Sequence, residues 1–227
     1  MRIIPGLTST KKDRIPSFID GLSRFGIGEI ALFPTCLAAD ERSALYAELE
    51  RLPGLRIPHV HIRSDMDEAE LDFLVGRFGA QAFNIHPRAS SHPFPDLPER
   101  FKAMSYVENV EEPPEPGEFA GLGGLCPDFS HWANALAFGR AAYDRRMRDL
   151  VTALPIGCCH LSALRLGVPN AWHGEYDHHE YASLADLDYL ASYAAFMPLH
   201  WASLELENSL QEQLAARDYL TRLLGVA

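Results

Sequence analysis

The sequence has 227 residues, of which 47% are apolar and 22% are charged, and its formal net charge is −11 at pH 7. This acidic balance argues against broad contact with nucleic-acid phosphates or an anionic membrane, because both favour clustered lysine and arginine. A chain of this length can bury one large core, and we expect a single domain over residues 1–227.

Hydrophobic periodicity and turn residues divide the chain into alternating strands and helices. In chain order, the first half contains a strand at 2–9, a helix at 11–25, a strand at 29–33, a helix at 40–52, a strand at 55–63, a helix at 65–78 and a strand at 81–86. The second half contains a short helix at 97–102, strands at 105–110 and 122–128, a helix at 133–154, a strand at 156–162, a helix at 184–197, a strand at 200–207 and a helix at 209–224. We expect loops at 111–117 and 165–181, where polar residues or prolines interrupt the pattern.

Eight predicted strands with helices between most of them indicate a parallel sheet. Eight such units in a chain of this length are typical of a closed (β/α)8 TIM barrel, and this is the fold that we predict. A doubly wound dinucleotide-binding sheet is less favoured, because no glycine-rich phosphate motif follows the first strand.

Sequence features that report on the cellular compartment are few. The N-terminal residues lack the basic region and apolar stretch of a signal peptide, and no apolar run reaches the length of a membrane span. The four cysteines, at positions 36, 126, 158 and 159, show no disulfide framework. We therefore expect a cytoplasmic protein with reduced thiols.

Nitrogen and oxygen donors recur where the predicted strands end and in the loop after the seventh strand. In a TIM barrel, chemistry takes place at this end of the strands, and these donors suit divalent zinc, manganese, iron or magnesium. The candidate metal ligands are His61, His86, Glu108, Asp128, His131, His160, Asp177, His179 and Glu207. Each alone could have an ordinary structural role, but their joint occurrence favours one shared metal site, since buried carboxylates are costly without a compensating cation.

Two of these assignments have a rival two residues away on the same strand face. His61 is preferred to His59 because it lies nearer the C-terminal end of its strand. Glu207 is preferred to Glu205 because it lies nearer the start of the following helix. Both alternatives stay open at this point.

Six short motifs follow one another from the fourth to the eighth predicted strand. They are Phe83-Asn84-Ile85-His86-Pro87, Val107-Glu108-Asn109, Cys126-Pro127-Asp128-Phe129-Ser130-His131, Cys159-His160-Leu161, Asp177-His178-His179 and Leu206-Glu207-Asn208. In this order they resemble the xylose isomerase-like TIM-barrel superfamily, and most closely its endonuclease IV branch (AP endonuclease family 2).

The resemblance implies a multinuclear centre of two or three divalent ions, with Zn²⁺ expected first and Mn²⁺, Fe²⁺ or Mg²⁺ as alternatives. By motif position, the first two metals would be bound by His61, His86, Glu108, Asp128, His160 and Glu207. The third would be held by His131, Asp177 and His179.

The expected activity follows from this centre and from the loops around it. The loops at the strand ends are acidic or proline-rich, whereas the DNA-binding loops of the endonuclease IV branch are basic, so nucleic acid is not an expected partner. We predict a metal-dependent hydrolase that cleaves a phosphoester in a small molecule, with Glu108 helping to deprotonate a water molecule and Glu207 as the second catalytic carboxylate.

The alternative is a sugar or sugar-phosphate isomerase or epimerase. The resemblance implies a smaller ligand set for such enzymes, here Glu108, Asp128, His160 and Glu207 around one metal, with the two glutamates as acid and base. A metal-binding protein without catalysis is a third option. The loops at 88–98 and 165–176 carry no recognisable substrate code, and the sequence contains no signature of an oligomeric state.

Overall fold

The structure is a computed structural model that describes residues 1–171 and 173–226. Its strands are β1 (Arg2–Ile4), β2 (Gly6–Thr8), β3 (Glu29–Phe33), β4 (Arg56–His61), β5 (Ala82–Ile85), β6 (Ser105–Glu108), β7 (Gly124–Cys126), β8 (His160–Leu161), β9 (Ala163–Leu164), β10 (Asp177–His178) and β11 (Trp201–Leu204). Its α-helices are α1 (Ile15–Phe25), α2 (Ala39–Leu49), α3 (Glu68–Phe78), α4 (Glu99–Lys102), α5 (Phe129–Ala137), α6 (Ala141–Ala153) and α7 (Leu210–Leu224). Turns of the 3-10 type cover Lys12–Arg14, Pro116–Phe119 and Leu184–Phe196.

Six strands form a parallel sheet in the order β2-β3-β4-β5-β6-β7. Spatial neighbours in this sheet are also neighbours along the chain, as repeated strand–helix–strand units require. Strands β1, β11 and β8 form a second parallel sheet with β11 in the middle. The predicted α/β class with parallel strands is therefore confirmed.

The two sheets approach each other at both edges. Pro5 alone separates β1 from β2; it has no N–H to donate, but its carbonyl accepts a hydrogen bond from the Ala31 N–H at 2.9 Å. At the other edge, isolated parallel bridges join Leu125 to Ile156 and Asp128 to His160. Closure of the strands into one barrel stays a prediction.

The two faces of the strands have different surroundings. On β3, Ile30 and Leu32 belong to the large apolar core that includes residues of the helices, whereas Ala31 and Phe33 belong to a smaller cluster on the opposite face. The Phe33 ring centroid is 5.1 Å from that of His160 and 5.8 Å from that of His59. This opposite face, called the inner face below, is therefore the one that carries the polar side chains.

The helix predicted at 133–154 is wrong as a single element. The structure has two helices there, because Gly139 adopts a left-handed backbone conformation (φ +72°) between α5 and α6. The first of them begins earlier than expected, at Phe129, because the Asp128 side chain caps it by accepting from the backbone N–H groups of Ser130 and His131.

Two other segments differ from expectation. The stretch at 184–197 forms 3-10 turns instead of an α-helix, and the loop at 165–181 contains β10, which pairs antiparallel with β9. Within 1–171 and 173–226, we find no helix long and apolar enough to cross a bilayer.

Candidate metal centre

Four donors on the inner face converge on one small volume. Glu108 ends β6, Asp128 caps α5 just after β7, His160 begins β8, and Glu205 directly follows β11. One donor atom from each lies within 4.8 Å of the other three. The His160 Nδ1 atom is 3.0 Å from Glu205 Oε2, 3.3 Å from Glu108 Oε1 and 3.6 Å from Asp128 Oδ2. Three carboxylates therefore surround one imidazole nitrogen; we call these four residues the central group.

Several atoms of the central group have no hydrogen-bond partner among the described residues. These atoms are Asp128 Oδ2 and both ring nitrogens of His160, although the two side chains are fully buried. Asp128 Oδ1, in contrast, accepts from the Ser130 N–H and hydroxyl and from the His131 N–H. Leaving buried polar atoms unpaired is costly, and a cation between them would remove that cost. The oxygen and nitrogen donors present are those that bind divalent zinc, manganese or iron.

In the central group, the carboxylates and the nearby histidine imidazoles shift one another's pKa values. Burial alone would raise the pKa of Glu108, but the neighbouring His160 and His61 hold this pKa well below its usual range. Burial would likewise raise the pKa of Asp128, but His131 and His160 lower it to about 2. Burial opposes a charged His160, yet Glu108 and Glu205 raise its pKa well above the usual range. The Glu108 and Asp128 carboxylates are thus ionised and available as ligands at neutral pH.

A second set of donors adjoins Glu108 and consists of His61, at the end of β4, and His86, just after β5. The two Nε2 atoms are 3.1 Å apart, and His61 Nε2 is 3.3 Å from Glu108 Oε2. One donor atom from each of these three residues lies within 4.8 Å of the other two. Burial, reinforced by the charge of His61, lowers the pKa of His86 to about 3, so this imidazole is neutral and presents a lone pair. The predicted ligands His61 and His86 therefore lie next to the central group, on the side of Glu108.

The third predicted set is less compact. His131 Nδ1 is 3.1 Å from Asp177 Oδ2, and His131 Nε2 is 4.0 Å from Asp128 Oδ2. His179 places its Nδ1 3.3 Å from the Glu205 carbonyl oxygen and, among the described residues, belongs to none of the close donor groups. Asp177 also approaches His173 and Glu175. Hence His131 and Asp177 lie next to the central group, while His179 contacts it through the backbone of Glu205.

The raised pKa of His131 should make the stability of the protein depend on pH. Burial would lower this pKa, but Asp128 and Asp177 raise it to about 10. A group whose folded pKa is raised stabilises the protein fully below its unfolded pKa, about 6.5, and loses that contribution as the pH rises through the folded value.

We therefore expect the metal-free protein to lose stability between pH 7 and pH 10, more steeply in the wild type than in His131→Gln. Urea unfolding of EDTA-treated protein at several pH values measures this. His160 and His179 titrate as well, so the difference between the two proteins is the relevant quantity; parallel curves would contradict the role given to His131.

Glu207 is a predicted ligand whose side chain the structure places outside the central group. Its Oε2 atom is 3.0 Å from Lys11 Nζ, and both side chains line a cavity of about 650 Å³. The backbone explains the difference. The Glu205 N–H still bonds to the Leu161 carbonyl, so Glu205 continues the inward alternation of β11, whereas the Glu207 N–H bonds to the His179 carbonyl. We therefore replace Glu207 by Glu205 as the candidate ligand and catalytic residue.

His59, the rival of His61, is fully buried and already has two partners. Its Nδ1 is 2.7 Å from the Ser203 hydroxyl, and its Nε2 is 3.0 Å from Asn84 Oδ1. Asn84 in turn donates from Nδ2 to Glu108 Oε2 at 2.7 Å. Sequence reasoning did not identify Asn84 or Ser203; the alternation of β5 and β11, which puts them on the faces of His86 and Glu205, is the pattern that could have revealed them.

Comparison with known proteins gives little guidance. No known family model matches the sequence, and no curated protein matches it significantly. Among solved structures, the apo form of 3-keto-D-glucoside 4-epimerase from E. coli is similar to this chain, with 13% sequence identity, 98% of each chain covered and a TM-score of 0.45. A likeness at this level decides neither fold nor activity, so the function proposed below rests on the geometry of the site.

Proposed function

We propose that β1 and β2 act as one strand broken at Pro5, and that the two sheets form a closed barrel of eight parallel strands. The pairings support a ring, since β2 begins the six-stranded sheet, β7 reaches β8 through the Asp128–His160 bridge, and β11 connects β8 to β1. Such a ring would gather the C-terminal ends of all strands at one mouth, where catalytic residues of this architecture are found.

We propose further that this mouth holds a divalent metal ion, bound by Glu108, Asp128, His160 and Glu205. The observation that carries this proposal is the convergence of three carboxylates on His160 Nδ1, where the buried Asp128 Oδ2 and His160 Nδ1 atoms lie close together without forming a hydrogen bond. A bound divalent ion would supply Lewis acidity and orient the oxygens of a polar substrate.

The reaction that the central group supports best is proton transfer in a small polar molecule, as in a sugar isomerase or epimerase. Two glutamates contact His160, and they differ in burial. Glu108 is almost fully buried, while the Glu205 side chain is 13% exposed. Glu108 Oε2 accepts from Asn84, which leaves Oε1 as the oxygen that can take a proton from a substrate carbon. Glu205, which reaches solvent, can deliver a proton and exchange it with water.

Hydrolysis of a phosphoester is the second candidate, and the additional donors favour it. His61 and His86 beside Glu108, together with the His131–Asp177 pair, exceed what one ion requires. In that case His61 and His86 would help to hold a second ion beside Glu108, and Glu108 would accept the proton of the attacking water.

Metal counting combined with isotope exchange separates the two candidates. For an isomerase or epimerase, we expect one tightly bound ion per chain and incorporation of solvent deuterium into a sugar or sugar phosphate from a test panel. For a hydrolase, we expect two or three ions per chain and release of phosphate or alcohol from a phosphoester panel, without deuterium incorporation.

Elemental analysis, mass spectrometry of recovered sugars and phosphate release measure these outcomes. Glu108→Gln serves as the control, because it keeps the shape of the side chain but removes its basicity. A wild-type protein that binds none of Zn²⁺, Mn²⁺, Fe²⁺ or Mg²⁺ would contradict both candidates.

A further inference from the structure

A buried chain of hydrogen bonds connects residues on three strands to Glu108 on a fourth strand. The Ser203 hydroxyl on β11 contacts His59 Nδ1 at 2.7 Å, His59 Nε2 on β4 contacts Asn84 Oδ1 at 3.0 Å, and Asn84 Nδ2 on β5 donates to Glu108 Oε2 at 2.7 Å. Ser203, His59 and Asn84 are fully buried, and Glu108 is 3% exposed. We call Ser203, His59 and Asn84 the inner relay.

Each bond of the inner relay determines the direction of the next. An ionised carboxylate only accepts hydrogen bonds, so Asn84 must present its NH₂ group to Glu108 and its carbonyl oxygen to His59. This carbonyl in turn requires a proton on His59 Nε2. In a neutral imidazole the remaining Nδ1 is then an acceptor, which the Ser203 hydroxyl satisfies as donor.

The inner relay also decides which oxygen of Glu108 is engaged. Asn84 occupies Oε2, and Oε1 is the oxygen 3.3 Å from His160 Nδ1. Without Asn84, the Glu108 carboxylate could rotate about its terminal bond, since only the neighbouring histidines would orient it. Hydrogen-bond partners of this kind behind a metal ligand fix its geometry, and their loss typically lowers metal affinity about 10–100-fold.

We infer that Asn84 is the positioning residue of Glu108, and that His59 and Ser203 hold Asn84 in the one amide orientation that serves this purpose. The inference rests on the metal site proposed above and adds residues that act on it without contacting substrate. It also gives His59 a role other than metal binding, because both of its ring nitrogens are already engaged.

Binding of Co²⁺ and Zn²⁺ to purified variants tests this inference. We expect Asn84→Ala to bind both ions about 10–100-fold more weakly than wild type in competition with a chromogenic chelator. We expect a smaller loss in the same direction for Ser203→Ala, which acts at the far end of the inner relay. In both variants the visible absorption of the Co²⁺ form should change in position or intensity, because the orientation of a ligand has changed.

Ser105→Ala is the matched control. Ser105 is fully buried on β6, the strand that carries Glu108, and its hydroxyl donates to the Phe101 carbonyl at 2.9 Å. Its loss removes a comparable buried hydrogen bond, but Co²⁺ affinity and spectrum should stay as in wild type. Ser203→Ala keeps the test valid if Asn84→Ala does not fold.

The experiment distinguishes failure of the proposed metal site from failure of the positioning role. If wild type binds neither Co²⁺ nor Zn²⁺, the proposed metal site itself is refuted. If wild type binds them, while Ser203→Ala and a folded Asn84→Ala keep its affinity and spectrum, the metal site stands and the inner relay has no positioning role. Equal effects of Ser105→Ala and Ser203→Ala would also overturn the inference, because they would show a general loss of packing.

Discussion

Saturating Zn²⁺ or Mn²⁺ is expected to raise the thermal unfolding midpoint of the metal-free protein by about 8–16 °C. An ion at about 1,000 times its dissociation constant stabilises the folded state by about 4 kcal/mol. In a chain of this size, each kcal/mol shifts the midpoint by about 2–4 °C. The physical reason is the packing of three carboxylates, Glu108, Asp128 and Glu205, around one buried imidazole. Calorimetry of EDTA-dialysed protein, with and without each ion, measures the shift.

Asp128→Asn is the variant that ties this shift to the central group. The carboxamide oxygen can still cap α5 by accepting from the Ser130 and His131 N–H groups, and Asn is as good an N-cap as Asp. The unpartnered Oδ2 is replaced by an NH₂ group, which cannot bind a cation. We expect the variant to fold but to lose most of the metal-induced shift. An unchanged wild-type midpoint with every ion, or a full shift in Asp128→Asn, would contradict the site.

The positions of most candidate ligands could be predicted because they follow from strand geometry. His61, Glu108 and His160 lie on strands of the parallel sheets, and side chains alternate between the two faces with a period of two residues. Parallel strands whose C-terminal ends meet at one edge place such side chains together. Both the alternation of side chains and the positions of the strand ends can be read from the sequence. A cluster of donors could therefore be predicted from the sequence pattern.

The choice between Glu205 and Glu207 was not foreseeable from the same rule. Both residues would share the inner face if β11 continued, and only the point at which the backbone leaves the strand separates them. That point is set by long-range hydrogen bonds, from the Glu205 N–H to Leu161 and from the Glu207 N–H to His179. The proximity of Glu207 to the next helix, which favoured it in the sequence, does not report on these partners.

The role of His59 was hidden for a related reason. Its partners, Asn84 and Ser203, are 25 and 144 residues away in sequence, and their proximity depends on strand register. Local irregularities were hidden as well. The left-handed turn at Gly139 divides a stretch that reads as one amphipathic helix, and β10, which pairs with β9, lies inside a stretch that reads as polar loop. Each of these features depends on contacts beyond the periodic pattern.

Glu205→Gln is expected to lower activity about 10²–10⁴-fold, whereas Glu207→Gln should stay within a few-fold of wild type. The first range is the usual contribution of a general acid or base. Glu205 Oε2 lies 3.0 Å from His160 Nδ1 inside the central group, while Glu207 forms an ion pair with Lys11 outside it. The assay uses the sugar or phosphoester that the wild type converts in the panels described above.

The two variants serve as matched controls for each other. Both replace a carboxylate by an isosteric amide, and the two positions are only two residues apart. Metal affinity gives a second readout that does not depend on the reaction. Glu205→Gln should bind Zn²⁺ or Mn²⁺ at least about 10-fold more weakly than wild type, because losing even a hydrogen-bond partner of a metal ligand lowers affinity by this much. Glu207→Gln should bind these ions as wild type does. The partly exposed Lys11–Glu207 pair contributes about 0–1 kcal/mol to stability, so unfolding of Glu207→Gln should differ little from wild type. The reverse order of effects would restore Glu207 as the ligand and would show that the backbone beyond β11 turns Glu205 away from the metal.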